Sequence, residues 1–510
     1  MLLRKHLPKI CIALGQSDPA RLLELARHEA SSGERFLEFR LDYLAGPAQG
    51  AALIADFLRQ YPECAVLATC RRHQNHGRFN GSIEQQLAVL SKAVDCGARA
   101  VDVEIESAEF AAAGVRDLAS RTILVVSYHN YEGTPAMDPV LRRMLKVPAD
   151  AYKIVTTARK PSDNLRLLAL AKSAPKTPLI LLAMTETGFP SRVLSLAGGG
   201  LYTYAAPTLA EGTAAGQVCA RSLRQIYRGE KLSKISRVYG VIADPVRHSI
   251  SPAVHNRALQ SRRIDAVYLP FLVSTLQLKD FFVLADRLPI NGFSVTIPHK
   301  QRVIRYLDAV DPLARRIGAV NTVWRKAGKW RGANTDAAGI RIPLERRLKL
   351  SNIAVLVIGN GGAARSAVFA LSDAGSRVFI TGRNPDRVRA LAKAGGATPL
   401  LAEHVAGLRF DVIVHATPIG MWPNTERCYF DGTIPAGIVF DLVYNPHDTL
   451  LIRRAREQGC EVIHGIEMFV EQASEQFQLF TGVAAPRQAM ERAAVEALAS
   501  HSPDHRGECE

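Results

Sequence analysis

The chain has 510 residues, 47% hydrophobic and 22% charged, with a formal net charge of +16. That length supports two to four domains with cores of their own, and no apolar run approaches the roughly 18 residues of a membrane-spanning helix. The basic residues lie in short separate groups (RRHQNHGR, RKAGKWR, LERRLKL) without interleaved aromatics, which argues against nucleic-acid binding and for a surface that draws small anions.

Eight short apolar runs open the chain: KICIAL (9–14), FLEFRLD (36–42), CAVLATC (64–70), AVDVEI (100–105), TILVVSY (122–128), AYKIVTT (151–157), PLILLAM (178–184) and LYTYAAP (201–207). Helix-like stretches such as SIEQQLAVLSKAVDCGA separate them. Eight strand–helix units of this length predict a (β/α)8 barrel over residues 1–230, whose chemistry sits at the C-terminal strand ends. Arg40, Asp42, Arg71, Glu104, His129, Lys153 and Arg192 lie within or just past strands two to seven. Lys153 interrupts an apolar strand. Facing a barrel mouth it would be desolvated, which favours the neutral amine that attacks a ketone to form an imine. His129 ends the preceding strand and is suited to move a proton beside that imine.

A charged boundary follows at 228–237 (RGEKLSKISR). Strand patterns VYGVIAD, AVYLPFL and GFSVTI and a hairpin-like AVNTVWRKAGKWRGAN then predict a smaller α/β domain over 237–335, completed by about 466–500. From Asn352, five apolar runs (IAVLVIG, SRVFITG, DVIVHAT, GIVFDLV, CEVIHG) predict a parallel sheet with helices on both faces, a Rossmann domain over 336–465. Its first strand runs into Gly359, Gly361, Gly362, Ala363 and Ala364, which fill a G-x-G-x-x-A turn opening a helix, the arrangement that seats a pyrophosphate. The second strand ends in Thr381, Gly382, Arg383 and Asn384 with no acid. Arg383 suits a 2′-phosphate, so NADP(H) is favoured over NAD. Residues 501–510 are expected to be disordered. The eight cysteines show neither CxxC nor Cys/His ligand spacing; they read as reduced thiols, no metal is expected, and the protein is placed in the cytoplasm.

Six segments accompany the glycine turn: DPVRHSISPAVHN (244–256), NGFSVTIPHK (291–300), GAVNTV (318–323), GANTDAAG (332–339), HATPIGM (415–421) and GIEMFVEQA (465–473). Together they resemble the shikimate dehydrogenases. The resemblance implies that Lys300 and Asp336 are the catalytic pair beside the reacting oxygen. It implies that Ser249 and Ser251 hold the substrate carboxylate, with Thr296, Asn321 and Gln472 as further substrate contacts. It adds Thr417, Met421 and Gly465 to the cofactor contacts. Two positions depart from the usual pattern: Gly382 and His415 each stand where asparagine is common. Quinate dehydrogenases share most of these motifs; the serine pair leans toward shikimate.

FLEFRLDYL, ATCR, DVE, SYHN, AYKI, GFPSR and AGQ occur in the order of the type I 3-dehydroquinate dehydratases, which are Schiff-base barrels. This resemblance implies Lys153 as the imine-forming residue and His129 as general acid/base. It implies Glu38, Arg40 and Arg71 as polar substrate contacts, Arg192 as carboxylate clamp, and Thr213 and Gln217 in the last loop. Departures are Ala13 at a frequent serine, Thr213 at another, no acid in RHQNHGR, and no proline in EGTAAGQ. As a whole the chain resembles a bifunctional dehydroquinate dehydratase/shikimate dehydrogenase. Small anionic substrates are implied, and neither nucleic acid nor membrane; oligomerisation stays open. Two rivals are a catabolic quinate/shikimate dehydrogenase and a regulatory protein that kept the folds without the chemistry.

Overall fold

The computed structural model describes residues 7–208, 210 and 212–500; the expected disordered tail lies outside the described residues. Among the described residues no helix is long and apolar enough to cross a membrane. They form two compact units, 7–237 with 265–289 and 238–264 with 290–500.

The first unit begins with eight strands: β1 (Ile10–Leu14), β2 (Phe36–Arg40), β3 (Ala65–Thr69), β4 (Ala100–Glu104), β5 (Ile123–Asn130), β6 (Ala151–Thr157), β7 (Leu179–Met184) and β8 (Thr203–Ala205). Each lies within two residues of a predicted run at either end. They pair in the order β7-β6-β5-β4-β3-β2-β1-β8, all parallel. The Leu201 N–H donates to the Leu179 carbonyl at 2.9 Å where the chain enters β8, so the sheet is a nearly closed barrel. Residues two apart share a face of a strand. Phe36, Ala65, Ala100, Val125, Ala151 and Ile180 pack together as an apolar floor. On four of these strands the next positions on the same face are polar: Glu38 and Arg40, Asp102 and Glu104, Ser127 and His129, and Lys153. The alternation that builds the floor therefore also lifts the reactive side chains above it. The surrounding helices start on sequence signals; Ser82 and Gln85 form a reciprocal capping box on the helix Ile83–Asp95.

Six strands make a mixed sheet: β9 (Arg237–Ala243), β10 (Ala266–Leu272), β11 (Ile290–Val295), β12 (Ala309–Val310), β13 (Thr322–Lys326) and β14 (Lys329–Ala333), in the order β10-β9-β11-β13-β14-β12. The predicted hairpin is β13–β14. Its two turn residues, Ala327 and Gly328, both have positive φ (51° and 77°), the geometry whose twist matches two antiparallel strands.

Six more strands, β15 (Ala354–Ile358), β16 (Arg377–Thr381), β17 (Thr398–Pro399), β18 (Phe410–His415), β19 (Ala436–Asp441) and β20 (Glu461–Ile463), form a parallel sheet ordered β17-β16-β15-β18-β19-β20. The order reverses beside β15, which creates a crevice at the strand ends. Val355, Val357, Val412 and Val414 pack on one face, and Leu356, Ile358, Ile413 and Val439 on the other. Burial on both faces explains why these strands read as continuous apolar runs. The two-residue β17 is too short to leave such a run.

Cys11, Cys64, Cys70, Cys96, Cys428 and Cys460 are free thiols.

Candidate active sites

Above the barrel floor lies a cavity of about 420 Å³ lined by Glu38, Arg71, His129, Lys153, Arg192 and Gln217, with Arg40 and Thr213 also facing it. Lys153 is 5% exposed and faces this cavity, as its place in an apolar strand predicts, and it is paired there. Its Nζ donates to Asp102 Oδ2 and to the Tyr204 hydroxyl, each at 2.9 Å, and Glu38 Oε1 stands 3.8 Å away. The reason is the cost of burying an unpaired ammonium, which a nearby carboxylate offsets. Asp102 also accepts from Arg71 Nη2 at 2.9 Å and Ser127 Oγ at 2.6 Å. Burial by itself would raise the Asp102 carboxyl; Lys153 and Arg71 hold it down at about 2. The sequence reading named Glu104 and passed over Asp102. The available signal was two acids spaced i, i+2 in an apolar strand, hence on one face. Tyr204 carried no signal beyond an aromatic in a short strand.

Parallel register sets Ser127 opposite Lys153 and His129 opposite Val155. His129 thus projects from the same face two residues nearer the barrel mouth. Arg71 Nη1 lies within hydrogen-bonding reach of its imidazole. Burial first, then the Arg71 guanidinium, pushes His129 well below the ordinary 6.5, so the ring is neutral near pH 7 and free to act as a base. Arg40 is held by Asp42 in a two-pronged pair, both contacts at 2.9 Å, and Glu38 accepts from Thr69 Oγ1 at 2.7 Å.

Arg192 sits on the helix Phe189–Ala197 and is 1% exposed. Its Nη2 donates to the Ala215 carbonyl at 3.3 Å, and its Nε has no partner among the described residues. Desolvation lowers this guanidinium to about 10. A buried cation that faces a cavity and forms no salt bridge among the described residues is the group an incoming anion neutralises. The last loop is seated tightly beside it: Gly216 has φ +78°, and a Cβ there would stand 2.3 Å from the Thr185 carbonyl oxygen.

In the second unit Lys300 Nζ donates to Asp336 Oδ2 at 2.6 Å. The other carboxylate oxygen accepts from Asn321 Nδ2 at 2.7 Å. Asn321 is itself fixed, because the Thr335 N–H and the Thr322 hydroxyl donate to its Oδ1 at 2.8 and 2.7 Å. A Cβ on Gly362 would come within 3.2 Å of Lys300 Cδ, so the lysine lies against the glycine turn. A Cβ on Gly339 would stand 3.1 Å from Gln472 Cβ, which sets Gln472, on the helix Gly465–Thr481, against the helix that Asp336 begins. Ser249 and Ser251 follow β9, Thr296 follows the parallel β11, and Asn321 precedes β13, so all four lie at one sheet edge. The serines meet each other through the Ser251 N–H and Ser249 Oγ at 3.4 Å. Gln476 was missed; its Oε1 accepts from Ser294 Oγ at 2.7 Å and its Nε2 donates to the Asn321 carbonyl at 3.3 Å. Its signal was the one-turn spacing from Gln472.

Ile358 aligns with Thr381 and His415, and His415 with Asp441, so Gly359, Arg383, Thr417 and Asp441 share the C-terminal edge of the sheet. Gly359 has φ +126°, and a Cβ there would meet the Ala416 carbonyl oxygen at 2.8 Å. Around Gly361 no atom lies within 4 Å of such a Cβ; this open turn leads to Gly362, Ala363 and the fully buried Ala364 at the start of the helix Gly362–Asp373. Thr381 Oγ1 is buried without a partner among the described residues, and Arg383 is exposed. Asn384 caps the helix Pro385–Gly395 by accepting from the Arg387 N–H at 3.0 Å. Met421 is exposed, and a Cβ on Gly465 would stand 2.5 Å from the Val443 carbonyl oxygen. The unusual His415 is buried between Asp441 Oδ1 at 2.8 Å and Thr417 Oγ1 at 2.5 Å.

A family model for type I 3-dehydroquinase matches residues 10–234. One for the shikimate dehydrogenase substrate binding domain matches 241–323, and one for the shikimate 5'-dehydrogenase C-terminal domain matches 465–495. The chain is similar to the chloroplastic bifunctional 3-dehydroquinate dehydratase/shikimate dehydrogenase of Arabidopsis thaliana, with 34% identity over 483 residues, 89% of this chain and 79% of that protein. It is similar to the shikimate biosynthesis protein AroDE of Chlamydia pneumoniae, with 33% identity over 384 residues, 74% of this chain and 78% of that protein. The shikimate dehydrogenase (NADP(+)) of Oleidesulfovibrio alaskensis is 38% identical over 270 residues, 52% of this chain and 96% of that protein.

Proposed function

The chain belongs to the bifunctional 3-dehydroquinate dehydratase/shikimate dehydrogenase family, and from that premise we propose how its residues divide the chemistry. The protein is a lyase and an oxidoreductase of the shikimate pathway. It dehydrates 3-dehydroquinate to 3-dehydroshikimate and reduces that ketone to shikimate. The barrel, 1–230, carries dehydration; residues 237–335 with 466–500 bind the second substrate, and 336–465 the nucleotide. Its site of action is the cytoplasm, a reading supported by the six free thiols.

In the barrel the Lys153 amine adds to the substrate ketone and, with loss of one water, forms an imine. His129 takes the proton alpha to the imine carbon. It returns that proton to the departing hydroxyl, which leaves as a second water, and hydrolysis of the imine consumes one water and frees Lys153. Arg192 takes the substrate carboxylate, while Glu38, Arg40, Arg71, Thr213 and Gln217 hold its hydroxyls. The observation that carries this reading is one cavity joining a buried lysine, a neutral imidazole and an uncompensated guanidinium. Because the base works unprotonated and its pKa is depressed, the acid limb of dehydration is expected below pH 6.5. A kcat–pH profile whose acid limb falls at or above that value contradicts His129 as the base.

The second unit fits a dinucleotide phosphate: the turn at Gly361 is open, a helix N-terminus follows, and the unpartnered Thr381 hydroxyl and Arg383 flank it. NADPH, when bound, supplies the hydride. Backbone amides of Gly361, Gly362, Ala363 and Ala364 hold the pyrophosphate, and Arg383 with Thr381 and Asn384 takes the 2′-phosphate side. Thr417, Met421 and Gly465 complete that contact surface. Ser249, Ser251, Thr296, Asn321 and Gln472 position the ketone's ring. Lys300 donates a proton to the developing alkoxide, and Asp336, oriented by Asn321, holds Lys300 in place.

An assay started with 3-dehydroquinate and NADPH should oxidise NADPH in step with shikimate formation. Arg383→Ala should raise the KM for NADPH by about ten- to a hundredfold, the worth of a charge-assisted hydrogen bond, and leave the KM for NADH unchanged. Equal effects on both nucleotides would remove Arg383 from the 2′-phosphate. Quinate turnover with NAD exceeding shikimate turnover with NADP would favour the catabolic reading.

A further inference from the structure

Two loops far from the glycine turn in sequence meet at the other end of the nucleotide-binding sheet's strand edge. One, after β19, carries His447 and Asp448; the other, after β20, carries His464 just before the helix Gly465–Thr481. His464 Nε2 lies 2.8 Å from Asp448 Oδ1, and His447 Nδ1 lies 3.5 Å from the same oxygen. The two imidazoles stack with centroids 4.4 Å apart. One ligand atom from each of the three residues lies within 4.8 Å of the others. Tetrahedral ligand atoms held at about 2.0–2.1 Å from a zinc ion are spaced much like these.

We infer that His447, Asp448 and His464 form a binding site for a borderline-soft divalent transition metal, with zinc or nickel as its class, that staples the β19 loop to the start of the helix carrying Gln472. Two imidazoles and one carboxylate are the donor set such ions prefer, and a hard ion such as magnesium would not select it. The site draws a cation already: Arg456 Nη1 and Nη2 lie 3.4 and 3.5 Å from the Asp448 oxygens, and Nη2 lies 3.5 Å from His464 Nε2. Arg456 is more than half exposed, at 53% of its side chain, so it can swing into solvent when an ion replaces it. It is a competitor for the site and not a part of it. The open fourth position is left to water.

Calorimetric titration of the full chain with zinc chloride tests this, with nickel chloride as a second probe. The wild type should take up one equivalent with a matching rise in Tm. His464→Ala and His447→Ala should each weaken binding at least about tenfold, the loss of one ligand's worth of affinity. Arg456→Ala should tighten binding, because it removes the competing cation. A metal bound at the free thiols would titrate equally in all four proteins, and that result would overturn the site. So would weaker binding in Arg456→Ala, or no uptake by the wild type. Reduction assayed without added metal should be the same in wild type and His447→Ala, which separates failure of the metal site from failure of the reductase assignment.

Discussion

Lys153→Ala is expected to lose dehydration by roughly 10^4-fold or more, the scale on which removing a covalent catalyst disables a site, or about 5 kcal/mol of barrier. Reduction of 3-dehydroshikimate should be unchanged. Borohydride quenching with dehydroquinate should add the substrate's mass to the wild type and nothing to the variant. Folding should survive. Breaking a buried ion pair costs about 3–5 kcal/mol when it strands a charge, but Asp102 keeps Arg71 at 2.9 Å and Ser127 at 2.6 Å. A variant that still accumulates the trapped adduct would show that another amine captures the ketone. Loss of both activities in a folded protein would refute two independent sites.

Lys300→Ala is expected to lower kcat for reduction by roughly 10^2- to 10^4-fold, the range for removing a positioned proton donor. Dehydration should remain intact, so the variant should convert dehydroquinate to dehydroshikimate and stop. Lys300 is the more exposed partner, at 18% of its side chain against 4% for Asp336. Asp336 retains Asn321 at 2.7 Å once the lysine is gone, so the cost to stability is small and the readout is chemical. The KM for NADPH should change far less than kcat. A KM effect alone would make Lys300 a binding residue and leave the proton donor to be found.

The two variants also separate the two kinds of evidence in the primary structure. The barrel strands were legible because each is a short apolar run, buried on both sides and bounded by turns. The site residues were legible where a charge interrupts such a run or ends it, as Lys153 and His129 do. Lys300, Asp336 and Asn321 were legible only through their motifs, since a lone lysine or acid on a loop has no pattern of its own. Asp102 escaped because Glu104 two residues on carries the same chemical signal, and strand periodicity cannot say which acid reaches a lysine two strands further along the chain. Tyr204 and Gln476 escaped because a hydroxyl or amide in an apolar stretch looks like core.

Local pattern therefore determined what this chain is made of: a barrel, a mixed sheet, a nucleotide-type sheet, and the ends of strands at which its reactive groups stand. Hydrophobic periodicity and glycine spacing act over a few residues, and a linear reading can follow them. Tertiary structure alone decided the partners: Asp102 for Lys153, Arg71 for His129, Asp441 for His415, and the meeting of His447 and Asp448 with His464. Those pairs join separate segments of the chain, and charge and hydrogen bonding act across distances that only folding makes short.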